Sequence, residues 1–116
     1  MTALYQPDRG HFVYLDFTPH AGTEQGGRRP ALVLSPKKYN IATSLMVACP
    51  ITNQLKGSPW EVSLPKGVGI TGAVLANQFR TVDWIARNAQ YRSDATEEIM
   101  AEVLGRIEAI LSLDCA

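Results

Sequence analysis

The sequence predicts a mainly β fold: a small antiparallel barrel closed by one C-terminal helix. Short strand-like apolar segments are separated by stretches rich in Gly and Pro. Near residue 93 the apolar spacing changes from two to three and four. A chain of 116 residues, 46% hydrophobic and 19% charged, can bury one core but has no room for a second. A single domain over residues 1–116 is expected.

Taken in order, residues 11–17 form the first strand, with Val13, Leu15 and Phe17 on one face. Residues 18–28 are a loop by their Gly and Pro content. Residues 30–35 make a strand that starts on Pro30, where a missing N–H is tolerated. Residues 45–51 read as a strand buried on both sides, and residues 60–64 alternate cleanly. The glycines of 67–72 mark a turn region before a strand over 73–79. Ser93 or Asp94 can cap a helix, and Asp94-x-x-Glu97 resembles a capping box. Ile99, Met100, Val103, Leu104, Ile107, Ile110 and Leu111 then form the apolar stripe of that helix. Gly105 interrupts it and suggests close packing against a strand.

Composition excludes several classes. No apolar run approaches the ~20 residues of a membrane span. The N-terminus lacks the apolar stretch of a signal peptide, so a cytoplasmic location is expected. Cys49 and Cys115 form neither a disulfide framework nor a metal-ligand spacing, and His11 and His20 stand apart. No metal and no cofactor are expected. Net charge is zero, against a general nucleic-acid coating protein. Yet residues 1–66 hold seven basic and four acidic side chains, and residues 67–116 hold four basic and seven acidic ones. A local basic groove is compatible with that asymmetry.

Polar residues gather at strand ends. Glu24-Gln25-Gly26-Gly27-Arg28-Arg29-Pro30 lies where a Gly-rich loop enters a strand, Pro50-Ile51-Thr52-Asn53-Gln54 closes the long strand, and residues 75–83 (LANQFRTVD) close a later one. Each stretch alone has a bland explanation as a solvated strand end. Trp60 and Trp84 read as packing residues. The joint order of the three polar stretches is more specific, and it resembles the MazF/PemK family of toxin endoribonucleases. The likeness runs from Pro7-Asp8-Arg9-Gly10 to the C-terminal helix. It is strongest in Val13-Tyr14-Leu15-Asp16-Phe17 with Pro19, in residues 22–35 (GTEQGGRRPALVLS), in Pro50-Ile51-Thr52 and in Asn77-Gln78-Phe79-Arg80-Thr81-Val82-Asp83. His11 departs from the pattern, since members often carry an acidic residue there.

The resemblance implies an SH3-like barrel of the MazF/CcdB toxin type, a homodimer, and cleavage of mRNA at short single-stranded sequences. It also implies a cognate antitoxin whose acidic C-terminal segment blocks the RNA groove. By family analogy Arg29 and Thr52 are the catalytic pair, Glu24 and Gln25 belong to the loop flanking the site, and Gln78 contacts substrate. Arg28 and Lys56 are candidate phosphate contacts, and Phe17 is a candidate stacking face. The chemistry is reasonable on its own terms. A ribose 2′-OH is an internal nucleophile beside its phosphate. A guanidinium can stabilise the phosphorane, a Thr hydroxyl can bond a phosphate oxygen, and Glu24 is the carboxylate in the cluster that can take the 2′ proton. Two alternatives compete: a related toxin fold that poisons DNA gyrase by binding, and a non-catalytic interaction barrel.

Overall fold

The strand Leu45–Thr52 organises the molecule, because three other strands pair with it in succession. The computed structural model describes residues 4–16 and 27–112. In chain order these form β1 (His11–Asp16), β2 (Arg28–Val33), α1 (Lys37–Thr43), β3 (Leu45–Thr52), β4 (Glu61–Ser63), β5 (Ala73–Leu75), a 3-10 turn (Ala76–Gln78), β6 (Arg80–Asp83), β7 (Gln90–Asp94) and α2 (Glu97–Leu111). Every pairing is antiparallel. The strand order is β4-β5-β3-β2-β1-β7, with β6 also paired to β3. The expected small barrel-like β fold with a C-terminal helix is present, although the sheet is not closed: β4 and β7 end the order.

Period-2 alternation splits the core between the two faces of the sheet. Phe12, Leu32, Leu34, Cys49 and Ile51 face one side, where Val62, Val74, Ala76 and the α2 residues Ile99 and Val103 cover them. Val13, Leu15, Ala31, Val33, Met46 and Ala48 face the other, under Val82, Trp84 and Ala89. The expectation that β3 is buried on both sides is met. Trp84 is a packing residue, and its indole donates to Asn40 O at 2.9 Å. Asn40 is fully buried and donates to Pro7 O and Ser35 O, both at 2.9 Å, while accepting from the Ser35 hydroxyl.

Several elements differ from expectation for local reasons. The expected strand over 73–79 is broken: β5 ends at Leu75 and β6 begins at Arg80. Ile51 lies opposite Val74 but Ala48 lies opposite Arg80, so the β5–β6 segment carries the turn as an insertion. The α2 cap is Thr96, whose hydroxyl accepts the Ile99 amide at 3.1 Å, rather than Ser93 or Asp94. Those two residues belong to β7, and Ser93 donates to Val68 O at 2.5 Å. The α2 stripe is narrower than its sequence: Ile99 and Val103 are buried, while Leu104, Ile110 and Leu111 are exposed. A Cβ placed on Gly105 would meet nothing within 4 Å, so close packing against a strand does not explain that glycine. No helix among the described residues is long and apolar enough to cross a membrane.

Candidate active site

A slot opens where the β2–β3 ladder stops. The two strands pair from Val33 opposite Ala48 to Ala31 opposite Pro50. Proline has no N–H, so Pro30 and Pro50 cannot donate to extend the ladder. Continuing that register brings Arg29 level with Thr52. The slot is lined by Arg29, Pro30, Pro50, Ile51, Thr52, Leu75, Gln78, Phe79 and Arg80 and has a volume of about 480 Å³. Thr52, Leu75 and Gln78 also border a second cavity of about 340 Å³, which Gln54, Lys56, Ser58, Glu61 and Asn77 complete. The two cavities therefore share a wall and form one track. Behind the prolines lies a small recess of about 20 Å³, bordered by Arg80 and Arg87.

Local contacts hold the polar groups in place. The Thr52 hydroxyl oxygen accepts the Gln54 amide at 3.0 Å, which leaves its proton to donate. Thr71 donates to Asn53 Oδ1 at 3.1 Å and ties the β4–β5 loop to the end of β3. Gly72, with φ +111°, lets that loop press against Thr52: a Cβ there would lie 2.3 Å from Thr52 O. Lys56 sits on a turn closed by Glu61, whose carboxylate accepts the amides of Lys56 at 2.8 Å and Gly57 at 3.1 Å. Gln78 is placed by the 3-10 turn inserted between β5 and β6.

The track is cationic. Arg29 and Arg80 face the slot, Lys56 borders the adjoining cavity, and Glu61 already engages two backbone amides. In the core beneath β3, burial pushes the Cys49 thiol up to about 12, so it stays a neutral group. Among the described residues, no three His, Cys, Asp or Glu side chains form a metal-binding group. The arrangement presents fixed guanidinium donors, a hydroxyl and a carboxamide over an apolar floor, which suits a phosphodiester with an adjoining base.

The family model for PemK-like, MazF-like toxins of type II toxin-antitoxin systems matches residues 8–111. The chain belongs to this family. The endoribonuclease toxin MazF of Escherichia coli strain K12 is 38% identical over 111 residues, covering 96% of this chain and 99% of the relative. The endoribonuclease PemK of Escherichia coli is 41% identical over 110 residues, covering 90% and 82%. A crystal structure of MazE-MazF from Deinococcus radiodurans superposes with a TM-score of 0.90 at 52% identity, covering 95% of this chain and 99% of that one.

In this MazF-like toxin, Arg29, Thr52 and Gln78 meet in the slot, and Lys56 joins them through the shared wall. Arg28 does not. Its guanidinium pairs with Asp16 and donates to Tyr14 O at 3.0 Å and Asn88 O at 2.8 Å. Phe17, Glu24 and Gln25 lie outside the described residues. Sequence reasoning missed Arg80, which borders both slot and recess. Its signal was available: a cation closing the Asn77-Gln78-Phe79 run that supplies Gln78.

Proposed function

We propose that this toxin cuts single-stranded RNA in the slot between Arg29 and Thr52, by attack of the ribose 2′-oxygen on the neighbouring phosphorus. The observation that carries the proposal is the convergence of Arg29 and Thr52, from two strands, at the end of one splayed ladder. The toxin is an endoribonuclease, as its relatives MazF and PemK are named. Those names favour catalysis over the gyrase-binding and interaction-barrel alternatives. The P–O5′ bond breaks as the O2′–P bond forms and the departing 5′-oxygen takes a proton from solvent water, leaving a 2′,3′-cyclic phosphate and a 5′-hydroxyl. Arg29 donates to the phosphorane oxygens, where charge grows in the transition state. The Thr52 proton bonds a non-bridging oxygen, and Gln78 and Lys56 hold the flanking base and phosphate. Glu24 is the proposed acceptor of the 2′ proton, Gln25 a further proposed RNA contact and Phe17 a proposed stacking face. Side chains supply each stabilising charge, so the scheme calls for no divalent cation.

The chain acts as one catalytic domain in the cytoplasm and pairs as a homodimer. Its antitoxin is a small protein with an acidic C-terminal segment that competes with RNA for the cationic track. Structural neighbours solved as MazE-MazF support such a partner. The deciding experiment is cleavage of a defined RNA with analysis of both new ends. Cyclic phosphate and 5′-hydroxyl ends, unaffected by EDTA and abolished by a 2′-deoxy nucleotide 5′ of the cut, are expected. A requirement for a divalent ion, or cutting of the deoxy substrate, would falsify the scheme.

A further inference from the structure

We infer that Arg28 is a positioning residue: together with Asp16 it clamps the N-terminal end of β2 and thereby holds Arg29 in the slot. The inference rests on the proposal that Arg29 acts there, and it gives Arg28 a role other than contact with RNA. Successive strand residues project to opposite sides, so Arg28 and Arg29 cannot both face the slot. Arg29 lines it. Arg28 turns toward β1 and the β6–β7 connection, where its Nη1 pairs with Asp16 Oδ1 and its Nη2 donates to Tyr14 O at 3.0 Å and Asn88 O at 2.8 Å. Its Nε is buried with no hydrogen-bond partner among the described residues, so the group is packed in place rather than extended into solvent.

Asp16 extends the clamp. Its amide donates to Arg87 O at 2.8 Å, and its own carbonyl accepts Arg87 Nη1 at 3.3 Å. Asn88 is in the left-handed region with φ +53°, and its carbonyl accepts from Arg28. Two chain segments, β1 and the β6–β7 connection, therefore converge on the guanidinium that β2 supplies. The need for such a clamp follows from the ladder. β2 pairs with β3 only from Ala31 onward, whereas β1 pairs with it through Asp16 opposite Arg28. Among the described residues, the end that carries Arg29 is thus paired along one edge. An exposed ion pair alone contributes little. Here side-chain exposures of 30% for Arg28 and 47% for Asp16, with two backbone carbonyls as further acceptors, make a network instead.

The test compares Arg28→Met, Asp16→Asn and the double variant with the unmodified homodimer. The clamp predicts that each single variant loses about tenfold or more in kcat, since small displacements of a catalytic group are costly. It predicts that the double variant is no worse than the worse single one. KM should stay within about twofold. The salt dependence of binding to RNA carrying a 2′-deoxy nucleotide at the cut should keep its slope. An RNA-contacting Arg28 predicts the opposite: a raised KM, a slope reduced by about 0.7, and an Asp16→Asn variant near wild type. That pattern would overturn the clamp. Thermal melts establish that each variant is folded at the assay temperature, and Arg28→Lys serves in place of Arg28→Met if the latter is not. A second readout needs no RNA: the Arg29 Nε–H resonance, assigned by its loss in Arg29→Lys, should shift or broaden in Arg28→Met. An unchanged resonance refutes the clamp even if cleavage itself proves to be wrongly assigned.

Discussion

Replacing Gly72 by Ala should slow turnover without replacing a residue that meets RNA. A Cβ at Gly72 would lie 2.3 Å from Thr52 O and 2.9 Å from Asn53 Oδ1. Ordinary contact begins about 1 Å further out than the first of these, and the obstacle is backbone, which cannot rotate aside. Gly72 cannot retreat easily either, because its carbonyl accepts the Leu64 amide at 2.9 Å and its neighbour Ala73 pairs with Thr52. The displacement falls on Thr52, and misplacing its hydroxyl should cost about as much as losing its hydrogen bond to the phosphate, on the order of tenfold in rate. Strain from φ +111° adds a loss of about 1–3 kcal/mol in stability. Gly67→Ala is the control: the same loop and φ +92°, but nothing within 4 Å of the new Cβ. It should lower the melting temperature and spare kcat. The assay is single-turnover RNA cleavage beside a thermal melt of each variant. If folded Gly72→Ala cuts within threefold of wild type, or Gly67→Ala loses as much rate, the argument that Gly72 positions Thr52 is refuted.

Other outcomes follow from the same contacts. Arg29→Ala should reduce kcat at least about a hundredfold and Arg29→Lys should recover little, because a point charge does not copy a planar fork; steady-state cleavage kinetics measure both. Thr52→Ala should cost less, since one hydrogen bond is lost rather than a charge. The backbone amide of Lys37, helped by that of Arg9, holds the Asp8 carboxyl below its ordinary value of 3.8. A depressed carboxylate stabilises the fold above its unfolded value and loses that effect as pH falls through the folded one. Asp8→Asn should therefore be less stable than wild type at pH 7, and denaturant midpoints should converge as the pH drops below about 4. Gly105→Ala meets open space on a helix, so it should stabilise by up to about 1 kcal/mol and raise the melting temperature by a few degrees.

What the sequence shows of this fold tracks the kind of signal each element carries. β1, β2 and β3 alternate apolar residues on two faces, and a period of two is readable without knowledge of partners. α1 gives no such signal. It has seven residues, one of them buried, and its first amide is satisfied by the Asp8 carboxylate 29 residues away at 2.8 Å. β7 is a mostly exposed strand of polar residues, recruited by backbone pairing to β1 rather than by hydrophobic pattern. The break between β5 and β6 is invisible for a related reason: Ala76-Asn77-Gln78 has a composition a strand tolerates, and only the change of register along β3 shows that the turn is inserted.

The slot that gathers Arg29, Thr52 and Gln78 was legible in the sequence as a set of residues but not as directions. Arg28-Arg29 before a strand reads as one cationic feature, and strand geometry already forbids both guanidinium groups from sharing a face. Which of the two turns to the slot is decided elsewhere, by the pairing of Asp16 with Arg28 across β1 and β2. A shift of one residue in that register would send Arg28 to the slot and Arg29 to the clamp position. That register is fixed by the alternating buried residues of β1 and β2, whose two faces belong to different core clusters. The order of the two arginines along the chain carries no function until that register is specified.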